Sequence, residues 1–234
     1  MTIRLGTFAV CAALATTGAM SAVPGPPATA PAASAEAEYQ AGLASDLGRG
    51  VRQDYAEAVR HYRRAAELGH AGAQFALAEM YKNGDGVAKD IDQALHWYRT
   101  AAAQGEAGAE LMLGVLYESG VGVTVDLAEA ARWYRRSADR GDARAQLLLG
   151  VLYQTGQGVR WDPVAAWALY TVSANRDHAP ANPAPRHRAM LEPQMTPLQL
   201  AQARSLAEAM SSPTGFRAAL DRYLARAAPA GGGR

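Results

Sequence analysis

The chain has 234 residues, of which 49% are apolar and 19% charged, and its formal net charge is +1. This composition is typical of a globular protein and excludes a long disordered chain. The near-neutral charge does not indicate a nucleic-acid or acidic partner. The single cysteine, Cys11, excludes a scaffold held together by internal disulfides.

Residues 1–22 have the pattern of a secretory signal peptide. Arg4 forms a short basic region, the segment from Leu5 to Met20 is apolar and uncharged, and the small residues Ser21 and Ala22 follow. The alternative is an uncleaved membrane anchor, but this run of about 16 residues is short for a span that needs roughly 20. We therefore expect a periplasmic or secreted protein whose mature form has no stable membrane span.

Residues 23–36 are rich in proline and alanine and show no apolar periodicity. Segments of this composition are typically extended and do not form a packed core. We therefore predict a linker between the signal peptide and a folded region that begins near Ala37.

A 36-residue unit occurs four times, at residues 37–72, 73–108, 109–144 and 145–180. Five of the positions that keep the same residue type in every unit show the period clearly. They are Gly48, Gly84, Gly120 and Gly156; Gly50, Gly86, Gly122 and Gly158; Asp54, Asp90, Asp126 and Asp162; Ala58, Ala94, Ala130 and Ala166; and Tyr62, Tyr98, Tyr134 and Tyr170. A fixed period of this length indicates stacked structural repeats, because one such unit cannot bury its apolar face alone.

The third unit predicts a hairpin of two helices. Ala109 and Leu113 begin an apolar pattern at helical spacing. Gly120 and Gly122 suit a chain reversal that requires positive φ angles. Asp126 is well placed to cap the second helix, since its carboxylate can accept from free backbone N–H groups.

The unit resembles the Sel-one-like repeat (SLR), a relative of the tetratricopeptide repeat, and the chain looks like an exported bacterial member. The shared pattern is A-x-x-x-L-G-x-L-Y-x-x-G-x-G-V-x-x-D-x-x-x-A-x-x-W-Y-x-x-A-A-x-x-G, which the third unit follows with Ser137 for one alanine. The first unit departs at Ser45 and His61, and the fourth at Leu169 and Asp177. The resemblance implies an all-α, right-handed α-solenoid of four helix-turn-helix hairpins.

Residues 181–227 predict C-terminal capping helices. Thr196–Gln199 has the pattern of a capping box with proline at the first helical position. In the fourth unit Ala168 and Val172 stand where the first and third units have arginines, so we expect the capping helices to cover this face. Residues 228–234 are expected to be a disordered tail.

The sequence shows no catalytic or metal-binding constellation, and we predict no catalytic residue, no metal and no cofactor. The five histidines are scattered without metal-ligand spacing, and no G-x-S-x-G motif occurs. The glycine pairs could be mistaken for phosphate or calcium loops, but their regular recurrence indicates turns. Carboxylates interleave with the arginines of the second helices, which favours a solvated face over a nucleic-acid site.

The first helices carry residues that the hairpin itself does not need, on the face opposite the second helix. Side by side, these residues form an apolar strip with a polar edge, here called the predicted groove. Its residues are Tyr39, Leu43, Phe75, Glu79, Lys82, Leu111, Val115, Glu118, Leu147, Val151 and Gln154. By resemblance to tetratricopeptide-like solenoids, this concave surface would hold a peptide or protein. The alternative is that these side chains pack against adjacent hairpins and are buried.

The favoured function is an exported, monomeric scaffold that binds a protein or peptide partner through the predicted groove, in regulation or assembly of the cell envelope. One alternative is a structural component of a polysaccharide-export or envelope assembly complex. An alternative of another class is a hydrolase of cell-wall or β-lactam material, as proposed for some family members. This last alternative is disfavoured because the sequence has no nucleophile–base pair.

Overall fold

The computed structural model describes residues 30–212 and 215–227, which form eleven α-helices and one short 3-10 helix, with no β-strand among them. The predicted signal peptide at 1–22, the linker as far as residue 29 and the tail at 228–234 lie outside the described residues. No helix in the described ranges is both long and apolar enough to cross a membrane.

Eight of the helices form four consecutive hairpins. Each helix packs most extensively on its hairpin partner, and each second helix also contacts the first helix of the next hairpin. The hairpins are α1 (Ala30–Leu47) with α2 (Tyr55–Glu67), α3 (Ala71–Asn83) with α4 (Ile91–Ala103), α5 (Ala107–Ser119) with α6 (Leu127–Asp139), and α7 (Ala143–Thr155) with α8 (Pro163–Arg176). The predicted all-α solenoid of helix-turn-helix units is confirmed.

The linker prediction is wrong for its last part, because α1 begins at Ala30 and residues 30–36 are helical. Alanine, the strongest helix former, dominates this stretch. Pro31 lies in the first turn, where its missing N–H has no helical partner to lose. The absence of apolar periodicity argued against a core at these residues, but it did not exclude a helix.

The two glycines of each unit build the turn within the hairpin, as predicted. Gly84, Gly120 and Gly156 end their helices in the left-handed region, and the second glycine of each pair has a φ between 66° and 75°. An aspartate then caps the second helix by accepting from the backbone N–H three residues later. These caps are Asp54, Asp90, Asp126 and Asp162.

The core of each hairpin is organised around the repeat tyrosine, which is fully buried in all four units: Tyr62, Tyr98, Tyr134 and Tyr170. In three units the ring lies directly on a glycine of the first helix. A Cβ added at Gly42 or Gly114 would stand 2.5 Å from a ring carbon, and one at Gly150 would stand 2.8 Å away. The glycine therefore permits the close approach of the two helices of a hairpin.

The C-terminal cap consists of α9 (Ala184–Leu191), the 3-10 turn Glu192–Gln194, α10 (Pro197–Met210) and α11 (Phe216–Ala227). Helices α9 and α10 pack on α8, while α11 packs on α10 and reaches back to α6. Ala168 and Val172 are buried in one cluster with Leu206 and Met210 of α10. The predicted cover over the fourth unit is confirmed, and the predicted capping box forms at Thr196 and Gln199.

Candidate partner-binding groove

The residues of the predicted groove lie on α1, α3, α5 and α7, and all of them except Leu111 are partly exposed. Leu111 is only 4% exposed. It belongs to a cluster that includes Ala145 and Leu149 of the next hairpin. For Leu111 the alternative of burial between hairpins is therefore correct, because its side chain is long enough to reach the neighbouring unit.

Two aromatic residues of the groove also contribute to stacking between units. The Tyr39 ring stacks on the His70 ring with centroids 4.3 Å apart. The Phe75 ring covers Gly108 in the first turn of α5, where an added Cβ would lie 3.1 Å from it. One part of each ring thus supports the next first helix, and the part that remains exposed is available to a ligand.

Polar side chains at the edge of the groove accept hydrogen bonds from the hydroxyl groups of the buried tyrosines. Tyr62 donates to the Oδ2 atom of Asp46 over 3.0 Å. The equivalent pairs are Tyr134 with Glu118, and Tyr170 with the Oε1 atom of Gln154 at 2.5 Å. Burial first, and then the neighbouring carboxylate, raise the pKa of Tyr62 and Tyr134 far above the usual value, so these hydroxyl groups remain donors.

The second unit is different, because Lys82 occupies the position of the acceptor. An ammonium group has no lone pair. Tyr98 instead donates to Glu79, about one turn earlier in α3, and Lys82 forms an ion pair with Glu79 at 2.6 Å. The edge of the groove therefore changes from a carboxylate to a cation and back to a carboxylate along the first three units.

The third and fourth units contribute three aliphatic side chains to the exposed apolar surface of the groove. Val115, Leu147 and Val151 are partly exposed and pack with their inner sides on the core of these units. Leu43 has the same relation to the core of the first unit. The groove side chains are suited to apolar contact and hydrogen bonding with a partner.

The sequence reading missed a buried ionic network beside these helices. Glu110 is fully buried, and its two carboxylate oxygens accept from the Nε atoms of Arg136 at 3.0 Å and Arg140 at 2.9 Å. Arg136 also donates to the backbone carbonyl of Ala102 at the end of α4. This network joins three helices of two units, and we assign it a structural role because the buried carboxylate is paired through both of its oxygens by arginines of the same unit.

A comparison among the units could have revealed this network. The first unit pairs Glu38 with Arg64 at 3.0 Å. Where the second helix has no arginine at the position equivalent to Arg64 and Arg136, the acidic residue is replaced by an amide. These neutral combinations are Gln74 with Thr100 and Gln146 with Val172. An acidic residue on the first helix thus occurs in the units that have an arginine at the equivalent position of the second helix, as expected for two side chains in contact.

In the part of the chain that the structure describes, no group of three or more His, Cys, Asp or Glu side chains could hold a metal ion. The arrangement of stacked helix pairs with a covered C-terminal end defines an α-solenoid repeat protein. The model of the Sel1 repeat matches four times in succession, at residues 35–70, 71–106, 107–142 and 143–178, which is more than half of the chain. The chain belongs to the Sel1 repeat family.

Solved structures that are similar to this chain include two with repeats of the same kind. A Sel1 repeat protein from Oxalobacter formigenes is 40% identical, over 60% of this chain and 56% of its own, with a TM-score of 0.57. The protein c5321, a protective antigen present in uropathogenic Escherichia coli strains displaying an SLR fold, is 28% identical, over 86% and 50%, with a TM-score of 0.52. The chain thus spans about half the length of both proteins. No curated protein matches the sequence.

Sel1 repeat proteins generally mediate protein–protein interactions, and the repeat is a non-catalytic scaffold fold. The family therefore gives the general class of function, and the surface residues of this chain must indicate the mode of binding.

Proposed function

We propose that this protein is an exported scaffold that binds a protein or peptide through the surface of its first helices. The observation that carries the proposal is the partly exposed apolar row of Val115, Leu147 and Val151 in the third and fourth units. This row lies beside the polar edge formed by Glu118 and Gln154. Apolar surface bordered by hydrogen-bonding groups is the usual character of an interaction site.

The polar edge can bind a partner without releasing the tyrosines. A carboxylate has about four lone-pair positions, so Glu118 can hold the Tyr134 hydroxyl and still accept from a backbone N–H of a peptide. The amide of Gln154 likewise keeps its NH₂ group for a peptide carbonyl. A bound segment would place apolar side chains against the valines and its backbone along this edge.

The signal-peptide pattern of residues 1–22 supports a location in the periplasm or outside the cell, and hence a role in regulation or assembly of the envelope. Fractionation of cells that produce the full chain tests this location. Recovery in the cytoplasm would contradict the proposed export without affecting the proposed groove.

Crosslinking in living cells tests the groove. A photoreactive residue in place of Val115 should capture a defined partner, whereas the same residue in place of Arg132, which lies exposed on a second helix, should not. The captured partner is then purified, and its affinity is measured for the wild type and for the Val115→Asp/Val151→Asp variant. We expect an affinity loss of at least about 2 kcal/mol. A folded double variant that binds with unchanged affinity would rule out the groove.

A further inference from the structure

The C-terminal cap contains a second groove, between α10 and α11, which is separate from the predicted groove on the first helices. Its volume is about 680 Å³. Small side chains line the α10 wall at intervals of about one helical turn, whereas the α11 wall carries Ala219 and longer side chains. Among the lining residues are Ala201, Ser205 and Ala209 on α10, with Ala219, Arg222 and Arg226 on α11.

Polar contacts hold α11 in position against the repeats, so this wall of the groove is preformed. The backbone N–H of Arg217 donates to Asp139 at the end of α6 over 3.1 Å. The hydroxyl of Tyr223 donates to Asp162 over 3.0 Å. The remaining contacts are the ion pair of Asp221 with Arg135 and the hydrogen bond from Arg160 to the carbonyl of Ala227.

Two arginines of this groove form no ion pair with the described residues. Arg222 and Arg226 are exposed, lie four residues apart on α11, and make no ion pair or side-chain hydrogen bond with any described residue. By contrast, Arg217 on the same helix pairs with Asp139. The acidic residue of α11, Asp221, is already engaged by Arg135. The groove therefore combines an apolar floor with a rim that is complementary to carboxylates.

The parts of this chain outside the described residues do not match that rim. Residues 1–29, 213–214 and 228–234 contain no aspartate and no glutamate. This composition favours a different molecule as the occupant of the groove.

We propose that the α10–α11 groove binds an acidic amphipathic helix of another protein. The small side chains of α10, one turn apart, leave a channel beside α11 into which the ridge of a third helix fits. The walls from residue 201 to 209 and from 219 to 227 extend about 12 Å, or roughly two helical turns. Carboxylates four residues apart on the bound helix match the spacing of the two guanidinium groups, which form charge-assisted hydrogen bonds with them.

Synthetic helices test this proposal directly. The probe is an alanine- and leucine-rich peptide of about 18 residues, long enough to be helical alone, with glutamates four residues apart on one face. A matched peptide carries lysines at the same positions. Binding is measured by fluorescence anisotropy, and the site is located by NMR chemical-shift changes. We expect the glutamate peptide to bind, with shifts confined to α10 and α11, and the lysine peptide not to bind.

Three variants distinguish binding in the groove from nonspecific attraction of the peptide to positive charge. Arg222→Gln/Arg226→Gln should weaken binding by at least about tenfold, and Ala209→Trp, which fills the groove, should do the same. Arg132→Gln/Arg204→Gln removes two positive charges elsewhere and should change affinity by less than about twofold. Circular dichroism checks that each variant is folded, and Arg222 and Arg226 are suitable positions because no described residue depends on them.

Several outcomes would overturn the proposal. These are equal binding of the two peptides, no binding of the glutamate peptide, or an equal loss in the control variant. Sedimentation velocity supplies a further check. A dimer that Ala209→Trp disrupts would assign the groove to a second copy of this chain instead.

Discussion

The two ends of the repeat array differ in how the apolar surface of the terminal helix is kept from solvent. At the N-terminal end, no hairpin precedes α1 among the described residues, and Ala41 and Ala44 stand where the next unit has Leu77 and Met80. Ala37 is exposed, although its equivalent Ala73 is fully buried. The outer positions of α1 therefore carry small side chains, which expose little apolar area to water.

At the C-terminal end, the last helix of the array keeps large apolar residues and is covered by further helices. Trp167, Leu169 and Val172 of α8 are buried in one cluster with Leu206 and Met210 of the cap. A solenoid must close both of its ends. The contrast shows that an end can be closed either by shortening the side chains or by adding a cover, and only the cover creates a new surface such as the α10–α11 groove.

Among these predictions, introducing a carboxylate at each end of the array should give the largest difference in the free energy of unfolding. Met210→Asp puts a carboxylate at a fully buried position of the cap, and we expect a loss of at least about 3 kcal/mol in the free energy of unfolding. Ala41→Asp in α1 should lose at most about 1 kcal/mol, mainly from helix propensity, because this position stays in contact with water. Urea denaturation followed by circular dichroism measures both, and equal losses would contradict the comparison.

The second glycine of the turn can be substituted in both the first and the fourth unit, and the two variants form a matched pair. An added Cβ at Gly158 would overlap the backbone of Leu127 in the preceding unit, whereas one at Gly50, in the first described unit, meets nothing within 4 Å. Both residues have similar positive φ angles, 68° and 75°. We expect Gly50→Ala to lose about 1–2 kcal/mol from backbone strain alone.

Gly158→Ala should lose about 1 kcal/mol more than Gly50→Ala, because α6 must also shift. Thermal and urea denaturation of the two variants measure the difference. If their stabilities are the same, the close contact between units does not limit the residue at this position.

Substitution of the buried Glu110 and of its partly exposed equivalent Glu38 compares the interior of the array with its N-terminal end. Glu110→Gln should lose about 2 kcal/mol, because the neutral amide cannot accept two charge-assisted hydrogen bonds from Arg136 and Arg140. Glu38→Gln removes an equivalent pair with Arg64 that is partly exposed, and its loss should be below about 1 kcal/mol. A larger loss at Glu38, measured by denaturation, would show that burial does not control these pairs.

The smallest effect is expected at the edge of the groove. Tyr134→Phe removes the hydrogen bond to Glu118 and should lose about 1 kcal/mol at neutral pH. Because burial raises the pKa of Tyr134 in the folded state, its contribution is complete below the unfolded pKa of about 10 and is lost as the pH rises further. The stability difference between wild type and variant should therefore shrink above pH 10, and a difference that grows instead would contradict this sign.

The first helices could be located from the sequence, whereas contacts between helices could not. Helical periodicity assigns the groove residues to the first helices, where the structure has them, but Glu79, Glu118 and Gln154 also accept from tyrosines of the second helices. The burial of Leu111, the stacking of Tyr39 on His70 and the turn of Tyr98 towards Glu79 depend on side chains of neighbouring units or turns. The residue pattern of one unit does not specify how far its side chains lie from those of the neighbouring units.

The sequence by itself determined the hairpins, their turns and their caps. Gly84, Asp90 and their equivalents satisfy backbone requirements that are local: a positive φ and an acceptor for a free N–H. Only the tertiary structure decided where α1 begins, which groove residues remain exposed and how α11 forms a second groove. These features depend on the spacing between packed helices, which is set by many side chains at once and is not written at any single position.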